Sequence, residues 1–359
     1  MLIHEVTPHW INEVVANFGR HQLAPCMGVS IDPILNDRVQ VHRLYLQYGP
    51  GPGQRQPSLI LKTPMGPALP EGTLSRHDPG AREAYFFRTL ASSSSLWTAE
   101  CYAIDFDASQ RTSLLLFEDL LNQGLHQGDR VSGLPKAEAE AILSQLAVFH
   151  AHYWNKTCEP EYQELEILTA AVETASDAAV RDYYQNAWPA VAACGLYSIP
   201  TEVVQLGNSL LSDPSWARRR LMERPKTIIH GDVHAENMFY RDGSEADKVA
   251  LIDWEDLSIG SGLTDVAWLV TTSVNTRDTE WELDLVRGYY EDLVAAGVRN
   301  YTWLECQSDY RLAIEGAFVQ GVLNSSTDLP GGAIELAAER ELGQLYMLAC
   351  ERARTGELR

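Results

Sequence analysis

The stretch His230-Gly231-Asp232-Val233-His234-Ala235-Glu236-Asn237, followed by Leu251-Ile252-Asp253-Trp254-Glu255, decides how this chain is read. The first segment has the form His-x-Asp-x-x-x-x-Asn. Thr227-Ile228-Ile229 predicts a short strand before it, and Asn237–Arg241 and Lys248–Ile252 predict the two strands of a small hairpin after it. That layout puts Asp232 on the loop ahead of the hairpin and Asp253 at the end of its last strand, so Asp232, Asn237 and Asp253 meet at one edge. Phosphoryl transfer needs such a set: one carboxylate to face an acceptor hydroxyl, and a carboxamide and a second carboxylate to hold Mg²⁺ across nucleotide phosphates. The plainer reading is a turn-rich hairpin whose polar residues only cap backbone groups.

Upstream of this island the chain reads as α+β. Val39–Leu46 alternates in the strand manner, and Ser58-Leu59-Ile60-Leu61-Lys62 is a second apolar strand that ends in a lysine. Gly49-Pro50-Gly51-Pro52-Gly53 between them is a connection that neither helix nor strand tolerates. A Pro/Gly-rich stretch, Thr63–Gly80, leads into a helix near Ala81–Leu90, and Ser92–Ser95 mark a loop. Leu114-Leu115-Leu116-Phe117 is a strand. Beyond it Pro135 suits a first helical turn, and Leu143, Leu146, Ala147, His150 and Trp154 recur at helical spacing. Helical patterns fill 161–222 and 264–356 around the island.

With 28 Lys+Arg against 49 Asp+Glu, the formal charge is −21. Nucleic-acid binding is driven by clustered Lys and Arg, so it is excluded as the main role. Hydrophobic residues make up 45% and charged residues 21%, enough apolar material for a core and too much for a disordered chain. The start lacks a basic region followed by an apolar run, and no stretch approaches the ~18 apolar residues of a membrane helix. The six cysteines are scattered, with no Cys-x-x-Cys pair. They predict reduced thiols in a cytoplasmic protein with no membrane partner.

The His-x-Asp-x-x-x-x-Asn island resembles the catalytic region of the aminoglycoside phosphotransferase and choline kinase group. The resemblance is closest to its ecdysteroid-kinase-like branch. That closer likeness rests on Ser58–Lys62, Arg82-Glu83-Ala84-Tyr85-Phe86-Phe87, Leu116-Phe117-Glu118-Asp119-Leu120 and Leu146–Trp154, which occur in the family's order over about residues 20–340. The resemblance implies a bilobal protein-kinase-like α+β fold. Residues 1–120 form a nucleotide-binding lobe of antiparallel sheet plus helix, with a hinge at about 118–122, and 123–359 form a mostly helical catalytic and substrate lobe.

It also implies roles. Lys62 contacts the α and β phosphates and pairs with Glu83. Glu118, Asp119 and Leu120 form the hinge that meets the adenine edge. Asp232 orients and deprotonates the acceptor hydroxyl, while Asn237 and Asp253 bind Mg²⁺. His230 anchors the loop, and Asp265 braces it from a helix start, although capping of that helix would equally explain an Asp there. The cofactors are then Mg²⁺ and ATP, with GTP left open. The family's Gly- or Ser-containing phosphate turn corresponds here to Leu35–Arg38, which contains no glycine.

Further readings concern the acceptor. Trp154 on the face of His150, His234 inside the loop and the acidic Glu255 are candidate substrate contacts, weighed against packing and solvation. Trp188, Trp254, Trp268 and Trp303 read as core. His150 and His152, two apart on a helix, point to different faces and do not form a metal pair. The expected function is transfer of the γ-phosphate to a hydroxyl of a metabolite, antibiotic or sterol-like alcohol. A nucleotide-binding pseudokinase stands as the alternative. A protein kinase is less favoured, because only eleven residues separate Asp253 from Asp265 and no Ala-Pro-Glu follows. The acceptor and the oligomeric state stay open.

Overall fold

The computed structural model describes residues 5–36, 39–64, 79–107, 112–173, 177–241, 249–274 and 279–325, together with 343, 346–348 and 350. They divide into two compact units. The first holds the described residues up to His126 together with Ala250–Asp256, and the second holds Gln127–Val249 and those from Leu257 onward.

In the first unit α1 (Pro8–Phe18) precedes β1 (Cys26–Asn36), β2 (Val39–Tyr48) and β3 (Ser58–Pro64). Then come α2 (Pro79–Tyr85), which runs into a π-helical turn at Phe86–Leu90, and β4 (Cys101–Asp107) and β5 (Thr112–Glu118). The strands form one sheet in the order β1-β2-β3-β5-β4, antiparallel at every step. Alternation decides its two faces. Leu44 and Leu46 of β2, Leu59 and Leu61 of β3, and Leu114 and Leu116 of β5 are buried in one cluster with Ile11 and Val15 of α1. Each such side chain contributes about 1.5–3 kcal/mol on burial. Lys62 follows Leu61 by one residue, and so stands on the opposite face, directly across from Val41.

Neither α1 nor β4 is expected from the sequence reading, although α1 carries local signals. Thr7 caps it by accepting from the Trp10 N–H at 3.2 Å, Pro8 opens it, and Gly19 closes it at φ 72°. The glycine-rich connection does what its composition predicts. A Cβ on Gly53, at φ 118°, would lie 2.5 Å from the backbone of Leu23 and Ala24.

The chain continues through β6 (His126–Gln127), α3 (Lys136–Tyr153), α4 (Gln163–Glu173), α5 (Asp177–Ala193), α6 (Thr201–Ser209) and α7 (Trp216–Met222). After these come β7 (Thr227–Ile229), β8 (Met238–Tyr240), β9 (Ala250–Leu251), β10 (Ser258–Gly260), α8 (Leu263–Ser273), α9 (Thr279–Ala295) and α10 (Trp303–Ser325). β7, fully buried, pairs antiparallel with β10. The sequence reading finds β7 and misses β10, because three residues carry no period. In the second unit α3 packs against α9, and α10 against α5, α7 and α8. Trp188, Tyr184, Leu206 and Phe318 share a buried cluster there. Past Ser325, most of the expected helical pattern lies outside the described residues. The architecture is the predicted protein-kinase-like α+β fold, and no helix among the described residues is long and apolar enough to cross a membrane. None of the six cysteines is in a disulfide.

Candidate active site

In the second unit the loop after β7 is held from beneath by one carboxylate. Asp265, fully buried in the first turn of α8, accepts from the backbone N–H of His230 at 2.8 Å and of Gly231 at 2.9 Å. It therefore braces the loop, which settles the choice left open between bracing and capping. His150 of α3 lies 3.2 Å from the same carboxylate through Nε2, and its Nδ1 lies 2.9 Å from the Tyr289 hydroxyl. Gly262 is required beside this group, since a Cβ there would meet the Tyr289 hydroxyl and come 2.7 Å from His150 Nδ1. His230 is fully buried, and its Nδ1 accepts from the Asp232 N–H at 3.2 Å.

Asp232 projects from this braced backbone. Its Oδ1 accepts from the indole N–H of Trp268 at 2.8 Å. Its Oδ2 lies 3.2 Å from His234 Nε2 and accepts from Asn237 Nδ2 at 3.3 Å. Burial pushes the carboxyl upward, but His234, His230 and the Trp268 N–H outweigh it and hold Asp232 below the usual carboxylate range. Asp232 is thus an ionised acceptor with both oxygens oriented. Asn237 spends its Nδ2 on the Asp232 carbonyl and carboxylate, which leaves its amide oxygen as the group that can face a cation. Ala235 N–H donates to Ser273 Oγ at 2.8 Å, and Arg130 pairs with Glu236 at 2.8 Å, so both flanks of the loop are tied.

The first unit carries the other charged group. Lys62 Nζ lies 2.7 Å from Glu83 of α2 and 3.3 Å from Glu255, and it also bonds Asp253. Three carboxylates thus surround one buried ammonium. Desolvation would lower the Lys62 pKa, but the carboxylates drive it well above the ordinary lysine value. Burial and mutual repulsion push Glu83 and Glu255 up to about 7, against the pull of Lys62. Negative charge is in surplus here, three carboxylates sharing one ammonium, although no group of three or more His, Cys, Asp or Glu among the described residues is arranged to hold a metal ion. Asp253 itself sits at φ 68°, a left-handed conformation that costs a non-glycine residue about 1–3 kcal/mol. The strain is held by the next residue. Trp254 N–H donates to Glu83 Oε1 at 3.3 Å, and its buried ring stacks on Phe86 with centroids 3.6 Å apart.

The remaining expected residues are placed as follows. Glu118 ends β5, buried, and Gln123 donates to its carboxylate. Asp119 accepts from Arg43 at 2.7 Å and Ser58 at 2.6 Å, and caps the short turn that begins at Leu120. Side chains of Glu118 and Asp119 are therefore committed to structure, and what this stretch can offer a nucleotide base is backbone. Trp154, at the end of α3, packs against Tyr301 with centroids 5.1 Å apart, and the neighbouring Asn155 accepts from Lys226 just ahead of β7. Asp37 and Arg38 of the phosphate turn lie outside the described residues. Trp268, read from sequence as core, is instead bonded to Asp232. The available signal was its position three residues after Asp265, on the same face of α8.

A family model described as ecdysteroid kinase-like matches residues 39–299. No curated protein matches the chain. Among solved structures, an amicoumacin kinase in complex with AMP-PNP, Ca²⁺ and Ami aligns at a TM-score of 0.50 and 14% identity, covering 95% of this chain and 96% of that one. Choline kinase LicA from Streptococcus pneumoniae aligns at 0.48 and 15% identity over 97% and 98% of the two chains. An ethanolamine kinase from Plasmodium vivax aligns at 0.49 and 13%, over 87% and 80%. At such identities the first of these supports the fold alone.

Proposed function

We propose a reaction for a chain that belongs to the ecdysteroid kinase-like family: transfer of the γ-phosphoryl group of ATP, with Mg²⁺, to a hydroxyl of a small molecule. Membership makes the chain a small-molecule kinase; donor, metal and acceptor are the proposed part. The observation that carries the reading is Asp232, held ionised on a loop whose backbone Asp265 fixes from beneath. Such a group accepts the proton of an attacking hydroxyl, a contribution of about 10²–10⁴ in rate.

Each residue then has a task. Residues 1–120 bind the nucleotide: Lys62, aligned by Glu83, meets the α and β phosphates, and the backbone of Glu118–Leu120 meets the base. Residues 123–359 supply the catalytic loop and the acceptor pocket. Asn237 and Asp253 would hold Mg²⁺, as the family resemblance implies, with the amide oxygen of Asn237 left over from its bonds to Asp232. When bound, the metal neutralises phosphate charge. Of the proposed acceptor contacts, His234 touches Asp232 and Glu255 touches Lys62, while Trp154 is committed to Tyr301. GTP as donor is the variant to include.

The test is transfer of γ-labelled phosphate from ATP or GTP, with Mg²⁺, to choline, an aminoglycoside and an ecdysteroid in parallel. A labelled low-mass product with wild type and none with Asp232→Asn supports the proposal. Equal product with Asp232→Asn overturns the role of Asp232. No product with any acceptor, alongside measured Mg-nucleotide binding, favours the pseudokinase reading.

A further inference from the structure

Helix α8 touches the catalytic loop at three points along one side. Asp265 grips the backbone of His230 and Gly231, Trp268 grips the Asp232 carboxylate, and Ser273 grips the N–H of Ala235. Residues 265 and 268 are three apart and therefore neighbours on the helix surface. The two oxygens of Asp232 are held from different sources. Oδ2 is met by His234 and Asn237, which belong to its own loop and move with it. Oδ1 is met by Trp268 alone among the described partners, and Trp268 stands on a helix. A carboxylate tied only by its own loop keeps freedom about its side-chain torsions. One tied to a helix as well has its plane fixed.

We propose that Trp268 is a positioning residue, fixing from α8 the orientation of the carboxylate that receives the acceptor's proton. The inference rests on the proposed role of Asp232, and goes beyond it by assigning a residue that touches neither nucleotide nor metal in that scheme. The indole is suited to the task because it is a donor only. It can orient the carboxylate without competing for the incoming proton. The residue is half-buried, so the N–H and the bulk of its ring can be separated by substitution.

Trp268→Phe keeps most of the ring and removes the N–H. A hydrogen bond to a charged group is worth enough that kcat should fall about tenfold to hundredfold, with KM for donor and acceptor changing by less than about twofold. In an Asp232→Asn background the same substitution should have little further effect, because the oriented carboxylate is already gone. An independent arm follows the indole protons of the full chain, nine in all, by ¹H–¹⁵N spectroscopy, with Trp268 assigned as the signal missing in Trp268→Phe. In Asp232→Ala that signal should move upfield and exchange faster with solvent. Wild-type kcat in Trp268→Phe, an equal loss in both backgrounds, or an unmoved indole signal in Asp232→Ala would each overturn the proposal. If wild type transfers phosphate to none of the acceptors, the proposed reaction fails separately, and the indole arm alone decides whether Trp268 holds Asp232.

Discussion

Lys62→Met tests the charge balance of the first unit. Lys62 serves Glu83, Asp253 and Glu255, whereas each carboxylate has only this lysine among the ion pairs described around it. The lysine side chain is 10% exposed and that of Glu83 only 3%. Removing one partner of a buried pair costs about 3–5 kcal/mol, because the other charge is left uncompensated. Here three are left, although Asp253 and Glu255 retain access to water. We therefore expect Lys62→Met to lose about 3–5 kcal/mol near pH 8, and Glu83→Gln much less, since the lysine keeps two carboxylates.

The pH dependence has a definite sign. Glu83 and Glu255 titrate near 7 in the folded chain, against the ordinary 4.5. Between those values the folded state holds more protons than the unfolded one, so stability falls as pH rises from about 4.5 to 7 and levels off above. In Lys62→Met both carboxyls would stay protonated to higher pH, which extends the decline and makes the mutant penalty smaller at pH 6 than at pH 8. Denaturant unfolding of wild type, Lys62→Met and Glu83→Gln at both pH values measures this. A Lys62→Met penalty no larger than that of Glu83→Gln, or one that does not change with pH, would refute the reasoning.

Other outcomes follow from the same geometry. Asp265→Ala takes the acceptor from the buried N–H of His230 and the half-buried N–H of Gly231; at about 1–3 kcal/mol for a buried group and less for the other, thermal unfolding should show a clear loss together with reduced turnover. Gly262→Ala forces a methyl against His150 and Tyr289 and should cost about 1–3 kcal/mol by overpacking, measured by denaturant unfolding. Asp253→Ala should abolish the Mg²⁺ dependence of nucleotide binding, whereas Asp232→Asn should leave it intact; calorimetric titration with and without Mg²⁺ separates the two.

How far the sequence could be read depends on what kind of signal each residue leaves. The Asp232 loop was legible because its residue types recur at fixed spacing between short strands. Lys62 was singled out by the family resemblance that pairs it with Glu83, a pair the structure shows; a lysine at the end of an apolar strand reads by itself as a solvated edge residue. The α1 helix had a cap and a proline, but only Ile11 and Val15 are buried along it, too thin a stripe to announce itself. β10 is three residues long and exists through its pairing with β7, a long-range partner that no local pattern encodes. Trp268 stayed hidden for a different reason. A tryptophan in an apolar helix reads as core, and only the loop that Asp265 brings against that face shows what its N–H does.

The measurement that bears most directly on the central claim is labelled phosphate transfer by wild type and Asp232→Asn, with Mg-nucleotide binding measured on the same samples. The account predicts equal binding by both proteins, a low-mass phosphorylated product from wild type, and a loss of about 10²-fold or more in Asp232→Asn. Equal transfer by the two proteins would contradict it.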